Sequence, residues 1–308
     1  MNIQVAVIQE SPVFFDKEAC LANIESITAE HTARGCQLIL FPESFVPGYP
    51  RGFTFGARVG SRTAEGRELY AEYHRQSVDL EGPDRGFLEK VARDHGVYLA
   101  VGITEKSSRH GSLYCSLAYF SPYNGLMGVH RKIKPTGTER IVWAEGDATT
   151  LCAFDTPIGR LGGLICWENY MPLARQSMYR KGVQVYLAPT ADARPGWTDT
   201  MRHIALEGRC FVLGCNQFTS RDQLPAAFRD LEANEDGYDC PGGSVIVSPQ
   251  GELLAGPLWD QAGVLTASLD LEAVTRSKLD FDPNGHYSRS DMFRFEVPGQ
   301  PEIKTDNP

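Results

Sequence analysis

No short window of this 308-residue chain is dominated by lysine or arginine, and the formal net charge is -9 with a pI near 5.3. Nucleic acid and anionic membrane surfaces are therefore poor partners. Nor does any apolar run approach the roughly 18 to 20 residues that span a bilayer. The eight cysteines, at 20, 36, 115, 152, 166, 210, 215 and 240, form no Cys-x-x-Cys pair and have no His-rich segment beside them, which disfavours a zinc site. Most sit inside apolar segments, as reduced buried thiols do in a cytosolic protein. Gly-x-Ser-x-Gly, P-loop and dinucleotide fingerprints are absent, which argues against a serine hydrolase and the common nucleotide-binding enzymes. There is no internal repeat, low-complexity tract or dividing linker.

What is present is 42% hydrophobic residues, enough for a chain of this size to bury roughly three quarters of its unfolded surface. The start, Met1-Asn2-Ile3-Gln4-Val5-Ala6-Val7-Ile8-Gln9-Glu10, has no basic leader and reads as a first strand, not an export signal. Apolar runs of strand length recur at 3–8, 38–41, 97–103, 113–120, 161–165, 183–188, 210–215, 244–247 and 264–269. Helical periodicity falls between several of them: Leu21, Ile24, Ile27 and His31 form one stripe, and further helices are expected at 86–95, 172–181 and 199–209. Turns near 110–130 imply mixed sheets. So many strands are too numerous for one covered sheet of modest size. The expected fold is α/β, a four-layer αββα sandwich of two mixed β-sheets packed face to face, with one large doubly wound sheet as the alternative. Residues 51–67 and 217–243 read as loops that border a pocket or simply cover the surface, and the chain after Asp282 as a polar, extended tail.

Cys166 carries the chemistry. The apolar run Leu161-Gly162-Gly163-Leu164-Ile165 breaks at it into Trp167-Glu168-Asn169-Tyr170-Met171-Pro172, so a short strand feeds a turn and a Pro-started helix. That places a thiol at the carboxyl end of a sheet, where α/β enzymes keep nucleophiles. Its plain alternative is a small core hydrophobe. A free thiol, with a pKa of about 8.5, would have to fall by about 1.5 pH units to ionise fully, roughly 2 kcal/mol, so a base or a cation must assist. Glu43 ends the strand Leu38-Ile39-Leu40-Phe41-Pro42, and Lys132 lies in His130-Arg131-Lys132-Ile133-Lys134-Pro135-Thr136. Taken singly, each reads equally as a surface charge.

In combination, Phe41-Pro42-Glu43-Ser44, Arg131-Lys132-Ile133-Lys134-Pro135-Thr136 and Leu164-Ile165-Cys166-Trp167-Glu168-Asn169 closely resemble the nitrilase superfamily of carbon–nitrogen hydrolases. Met171-Pro172-Leu173, the run from Tyr186 to Arg194, the run from Met201 to Gly208 and Gly285-His286-Tyr287 are similar to its true nitrilase branch. The likeness spans residues 3–295.

The resemblance implies a triad: Cys166 as nucleophile, Glu43 as general base and Lys132 as the ammonium that stabilises developing charge. Glu139 matches a second glutamate of the family, its alternative being an ion pair with Arg131 or Arg140. Lys134 competes with Lys132, but the family pattern puts the functional amine before Ile133. Tyr49, Trp167 and Thr190 are the candidate substrate-binding residues, with the Trp167 backbone N–H as an oxyanion donor. Glu168 reads as an ion-pair partner outside the catalytic set, His203 as structural, and Trp143 and Trp197 as core or interface aromatics.

Further implications are one hydrolase domain over residues 1–295 with a polar tail at 296–308, a small-molecule nitrile as substrate, and no metal or organic cofactor. A homodimer or larger homo-oligomer in the cytoplasm is expected, without nucleic-acid or membrane partners. An amidase, a carbamoyl hydrolase or a cyanide-hydrating enzyme would use the same triad. A non-catalytic interaction protein would have no reason to keep it.

Overall fold

Strand alternation sorts the apolar side chains into three layers of core. In β1 (Asn2–Gln9), Val5 and Val7 face one side while Ala6 and Ile8 face the other. The computed structural model describes residues 2–192, 194–220, 223–224 and 240–306.

The first sheet runs β15-β1-β2-β5-β6-β7, with β2 Leu38–Leu40, β5 Tyr98–Lys106, β6 Leu113–Ser121, β7 Gly125–Arg131 and β15 Gly263–Asp270. The second runs β12-β13-β11-β10-β9-β8-β16, from β12 Phe218–Thr219 and β13 Cys240–Val247 through β11 Phe211–Asn216, β10 Val185–Thr190, β9 Gly159–Gly163 and β8 Ala153–Thr156 to β16 Lys304–Thr305. β14 (Leu253–Trp259) pairs with β13. Strands β1, β2 and β5 are mutually parallel, as are β9, β10 and β11, while the outer pairings are antiparallel except for the parallel β8–β16 pair. Both sheets are therefore mixed.

The inward side chains Val5, Leu40, Leu117 and Tyr119 of the first sheet pack on Phe154, Leu187, Leu213 and Ile246 of the second. Cys215 joins them, its thiol donating to the carbonyls of Ile8 and Leu40 at 3.2 and 3.4 Å. Helices α1 (Lys17–Thr32) and α3 (Pro83–Asp94) cover the outer face of the first sheet through Leu21, Ile24, Leu88 and Val91. Helices α4 (Pro172–Arg180) and α5 (Gly196–Gly208) cover the second through Met178, Met201 and Ile204. This is the expected αββα sandwich. Asp16 starts α1 by accepting from Ala19 N at 2.9 Å, and prolines occupy the first turns of α3 and α4, where no backbone N–H is needed.

One region differs from the sequence expectation. The segment expected as a loop at 51–67 contains a short hairpin, β3 (Ala57–Arg58) with β4 (Ser61–Arg62), and the start of α2 (Ala64–Gln76). Only Gly66, Leu69 and Tyr73 of α2 are buried, so its apolar stripe is too thin to read as a helix. Of the other expected loop, residues 221–222 and 225–239 lie outside the described residues. Helix α6 (Glu272–Ser277) follows β15.

The polar tail is anchored at its end. β16 adds to β8 in parallel, and the buried Asp306 carboxylate accepts from Tyr98 Oη, Ser121 Oγ and Asn124 Nδ2, each at 2.7 Å. A strap on the second sheet thus ends in a polar cluster on the first. Asp306→Ala removes a charged acceptor from three donors and should cost about 2–4 kcal/mol in chemical denaturation. A loss under about 0.5 kcal/mol would show the strap to be peripheral. Among the described residues, no helix is long and apolar enough to cross a membrane.

Candidate active site

Four strand ends deliver the site. Glu43 follows β2, Lys132 follows β7, Cys166 follows β9 and Thr190 ends β10. Gly102 on β5 lets the Glu43 segment pass close by, since a Cβ there would stand 2.0 Å from the Pro42 carbonyl oxygen. Ser44, next to Glu43, has φ 49°, and its hydroxyl meets those of Tyr73 and Thr104 at 3.2 and 2.8 Å in a buried network.

Cys166 opens a 3-10 turn, Cys166–Tyr170, with φ 53°. A left-handed non-glycine residue costs on the order of 1–3 kcal/mol and persists only where its surroundings enforce it. Asn169 supplies that enforcement. Its Nδ2 donates to the carbonyls of Leu164 (3.0 Å) and Cys166 (2.8 Å), while its Oδ1 accepts from Tyr186 Oη at 2.8 Å.

The Lys132 ammonium is fully buried between two carboxylates, 2.7 Å from Glu43 Oε1 and 2.7 Å from Glu139 Oε2. Glu139 also accepts from Tyr49 Oη at 2.7 Å and from Thr136 N at 2.6 Å, so both its oxygens are fixed. It pairs with neither arginine considered above: Arg131 binds Glu105, and Arg140 Nε donates to the Gly137 carbonyl. Lys134 points away to a surface pair with Glu145.

Burial opposes the Lys132 charge, but Glu43 and the other acidic groups around it outweigh burial and hold the ammonium protonated. Burial, with Glu139 adding to it, lifts Glu43 above the usual carboxylate range despite Lys132. Glu43 Oε1 takes a further contact from the Cys115 thiol at 3.4 Å, while the buried Oε2 has no hydrogen-bond partner among the described residues. Burial and then the Glu43 carboxylate push the Cys166 thiol far up. That direction favours the protonated thiol.

Thr190, fully buried, donates its hydroxyl to Cys166 Sγ at 3.1 Å. The sulfur opens on a cavity of about 560 Å³ whose wall includes Tyr49, Arg51, Glu139, Trp167, Asp192 and Arg194. Trp167 is half exposed at its rim: Nε1 donates to Asp192 Oδ2 at 2.9 Å, and the Arg194 guanidinium lies 4.6 Å from the ring centroid. A neighbouring chamber of about 390 Å³ shares Tyr49, Arg51 and Glu139 and adds Phe53 and Phe55. Trp143 packs behind, edge-on to Tyr49 at 5.5 Å, and Trp197 lies in the outer core. His203 is exposed on α5, 3.7 Å from Glu207. Among the described residues no three His, Cys, Asp or Glu side chains group as metal ligands would.

Residues 4–278 match the carbon–nitrogen hydrolase family. The chain belongs to that family. The hydrolase is 44% identical over 306 residues to a bifunctional nitrilase/nitrile hydratase of Lupinus angustifolius, covering 97% of this chain and 87% of that protein. It is 44% identical over 302 residues to an aliphatic nitrilase of Sinorhizobium fredii, covering 98% and 97%. A carbon–nitrogen hydrolase of Helicobacter pylori has the same fold, with a TM-score of 0.74 over 95% of this chain and 97% of that one at 21% identity.

Several site residues of the hydrolase escaped the sequence reading. Asn169 and Asp192 lie inside segments already singled out, but nothing local marks an amide as an elbow clamp or an aspartate as a tryptophan acceptor. Gln217, whose Nε2 donates to the Glu43 carbonyl at 2.9 Å, and Cys115 are far from any motif in sequence.

Proposed function

We propose that this hydrolase is a nitrilase that converts an organic nitrile to the carboxylic acid and ammonia, with Cys166 as nucleophile, Glu43 as base and Lys132 as electrophilic ammonium. The likeness to enzymes named nitrilase, 44% identical over nearly the whole chain, supports nitriles over amides. The site supplies what a nitrile needs. Its carbon is a weak electrophile, so Glu43 takes the thiol proton as sulfur attacks, and the Lys132 ammonium offsets the charge arising on nitrogen. The nitrogen takes a proton from the Lys132 ammonium, which regains one from Glu43 2.7 Å away, giving a thioimidate on Cys166 and leaving Glu43 ionised.

Water, deprotonated by Glu43, then adds to the thioimidate carbon. Loss of ammonia leaves a thioester, and a second water releases the acid and restores the thiol. If the tetrahedral intermediate expels sulfur first, the amide leaves instead. Glu139 holds Lys132 and Tyr49 in place, while Tyr49 and Trp167 flank the substrate. Glu43 alternates between base and acid, so the rate should be bell-shaped in pH. The same reading carries a single hydrolase domain over residues 1–295, a homodimer or larger assembly, and a cytoplasmic location.

The test is a panel of aromatic, arylaliphatic and aliphatic nitriles with the matching amides, following ammonia, acid and amide. At least one nitrile should give acid and ammonia as the main products. Amide turnover much faster than nitrile turnover would make the protein an amidase.

A further inference from the structure

The cysteine and the lysine of the site belong to different sheets, and one buried carboxylate joins their backbones. Glu168, on the turn that Cys166 opens, accepts from Ile165 N at 2.7 Å through Oε2 and from Ile133 N at 2.5 Å through Oε1. Ile165 precedes Cys166, and Ile133 follows Lys132. The second contact of Oε2 is His130 Nε2 at 2.9 Å, and His130 Nδ1 lies 3.1 Å from the Thr150 carbonyl oxygen.

Proton placement follows from these partners. A carbonyl oxygen can only accept, so His130 Nδ1 carries a hydrogen. Both Glu168 oxygens accept backbone N–H groups, and His130 Nε2 is placed to donate to Oε2. The imidazole is buried at about 1% side-chain exposure against the Glu168 side chain at 0%. Burial opposes a charge on the imidazole, but Glu168 outweighs it and raises His130.

We propose that His130 and Glu168 are positioning residues: a buried, hydrogen-bonded pair that fixes the spacing between the Cys166 sulfur and the Lys132 ammonium. The pair reaches from β7, which delivers Lys132, to the turn after β9, which delivers Cys166, so it acts where the two sheets must be held in register. Neither residue touches the cavity. The function of the tether rests on the nitrilase reading; its geometry does not.

The test compares the wild-type enzyme with His130→Gln and Glu168→Gln, each first shown to be folded by circular dichroism and thermal unfolding. One readout is kcat and KM on a nitrile that the wild type hydrolyses. The other is the rate of iodoacetamide alkylation at Cys166, quantified by peptide mass spectrometry. Loosening the spacing by about an ångström should lower kcat roughly 10²-fold with KM within about threefold, and slow alkylation at least about tenfold.

A merely structural pair would lower the melting temperature and leave the kcat of folded protein unchanged. Folded variants with kcat and alkylation both within about threefold of wild type overturn the tether. So does a fall in kcat with unchanged alkylation, which would place the effect away from the sulfur. If the wild type hydrolyses no nitrile, the nitrilase reading fails, and alkylation alone still decides the tether. Glu168→Gln turns an amide N–H toward a backbone donor and is the harsher change. If it does not fold, His130→Gln, which keeps a neutral donor toward Glu168, decides alone.

Discussion

Cys166→Ala is expected to abolish hydrolysis, lowering kcat by roughly 10⁴-fold or more, while the protein stays folded. Removing the proposed nucleophile leaves the rest of the site with no route to a covalent intermediate. The stability cost is small for two reasons. The sulfur borders an open cavity, so no sealed void forms behind it, and what it loses is a hydrogen bond from Thr190. Alanine also keeps the left-handed backbone at a cost similar to that of cysteine, because the Asn169 clamp grips backbone carbonyls and not the side chain. The check is ammonia release by rigorously purified variant, with circular dichroism alongside. Turnover that survives purification would remove Cys166 from its role and, with it, the covalent scheme.

Lys132→Met should lose activity and also destabilise the fold by about 3–5 kcal/mol near neutral pH, because two buried carboxylates lose the cation they share. The pH dependence has a definite sign. Burial and Glu139 already lift Glu43 above the usual carboxylate range, and without Lys132 it moves further up. Between the unfolded carboxylate pKa and that raised folded value, the folded state binds more protons than the unfolded state, so stability falls as pH rises. The deficit of the variant should therefore be largest near neutrality and shrink as pH falls toward the ordinary carboxylate range. Urea midpoints of variant and wild type between pH 5 and 8 measure it. A deficit independent of pH would mean that lost packing, not the unpaired carboxylates, dominates.

Motif and periodicity reached a good part of this arrangement. The αββα layering was legible because strand alternation and helix stripes give different periods, and nine apolar runs with helices between them need two sheets. Glu43 and Cys166 stand at the ends of apolar runs, and Lys132 is singled out by the resemblance of the three motifs taken together. Helix α2 was missed because it buries so few side chains. The anchoring of the tail was missed because Asp306 looks like any charge near a polar end, and only its three donors, drawn from β5, β6 and the turn after β6, make it a core residue.

By itself the sequence determined the main strands and helices, the family, and which side chains could carry acid, base and nucleophile, since these depend on residue type and local spacing. The tertiary structure alone decided that Lys132 lies between two carboxylates, that the buried Cys166 sulfur sits beside the Thr190 hydroxyl, and that His130 and Glu168 bind the two sheets together at the site. Burial and pairing depend on distances between segments far apart in the chain, about 90 residues for Glu43 and Lys132. No periodicity along the chain encodes those distances.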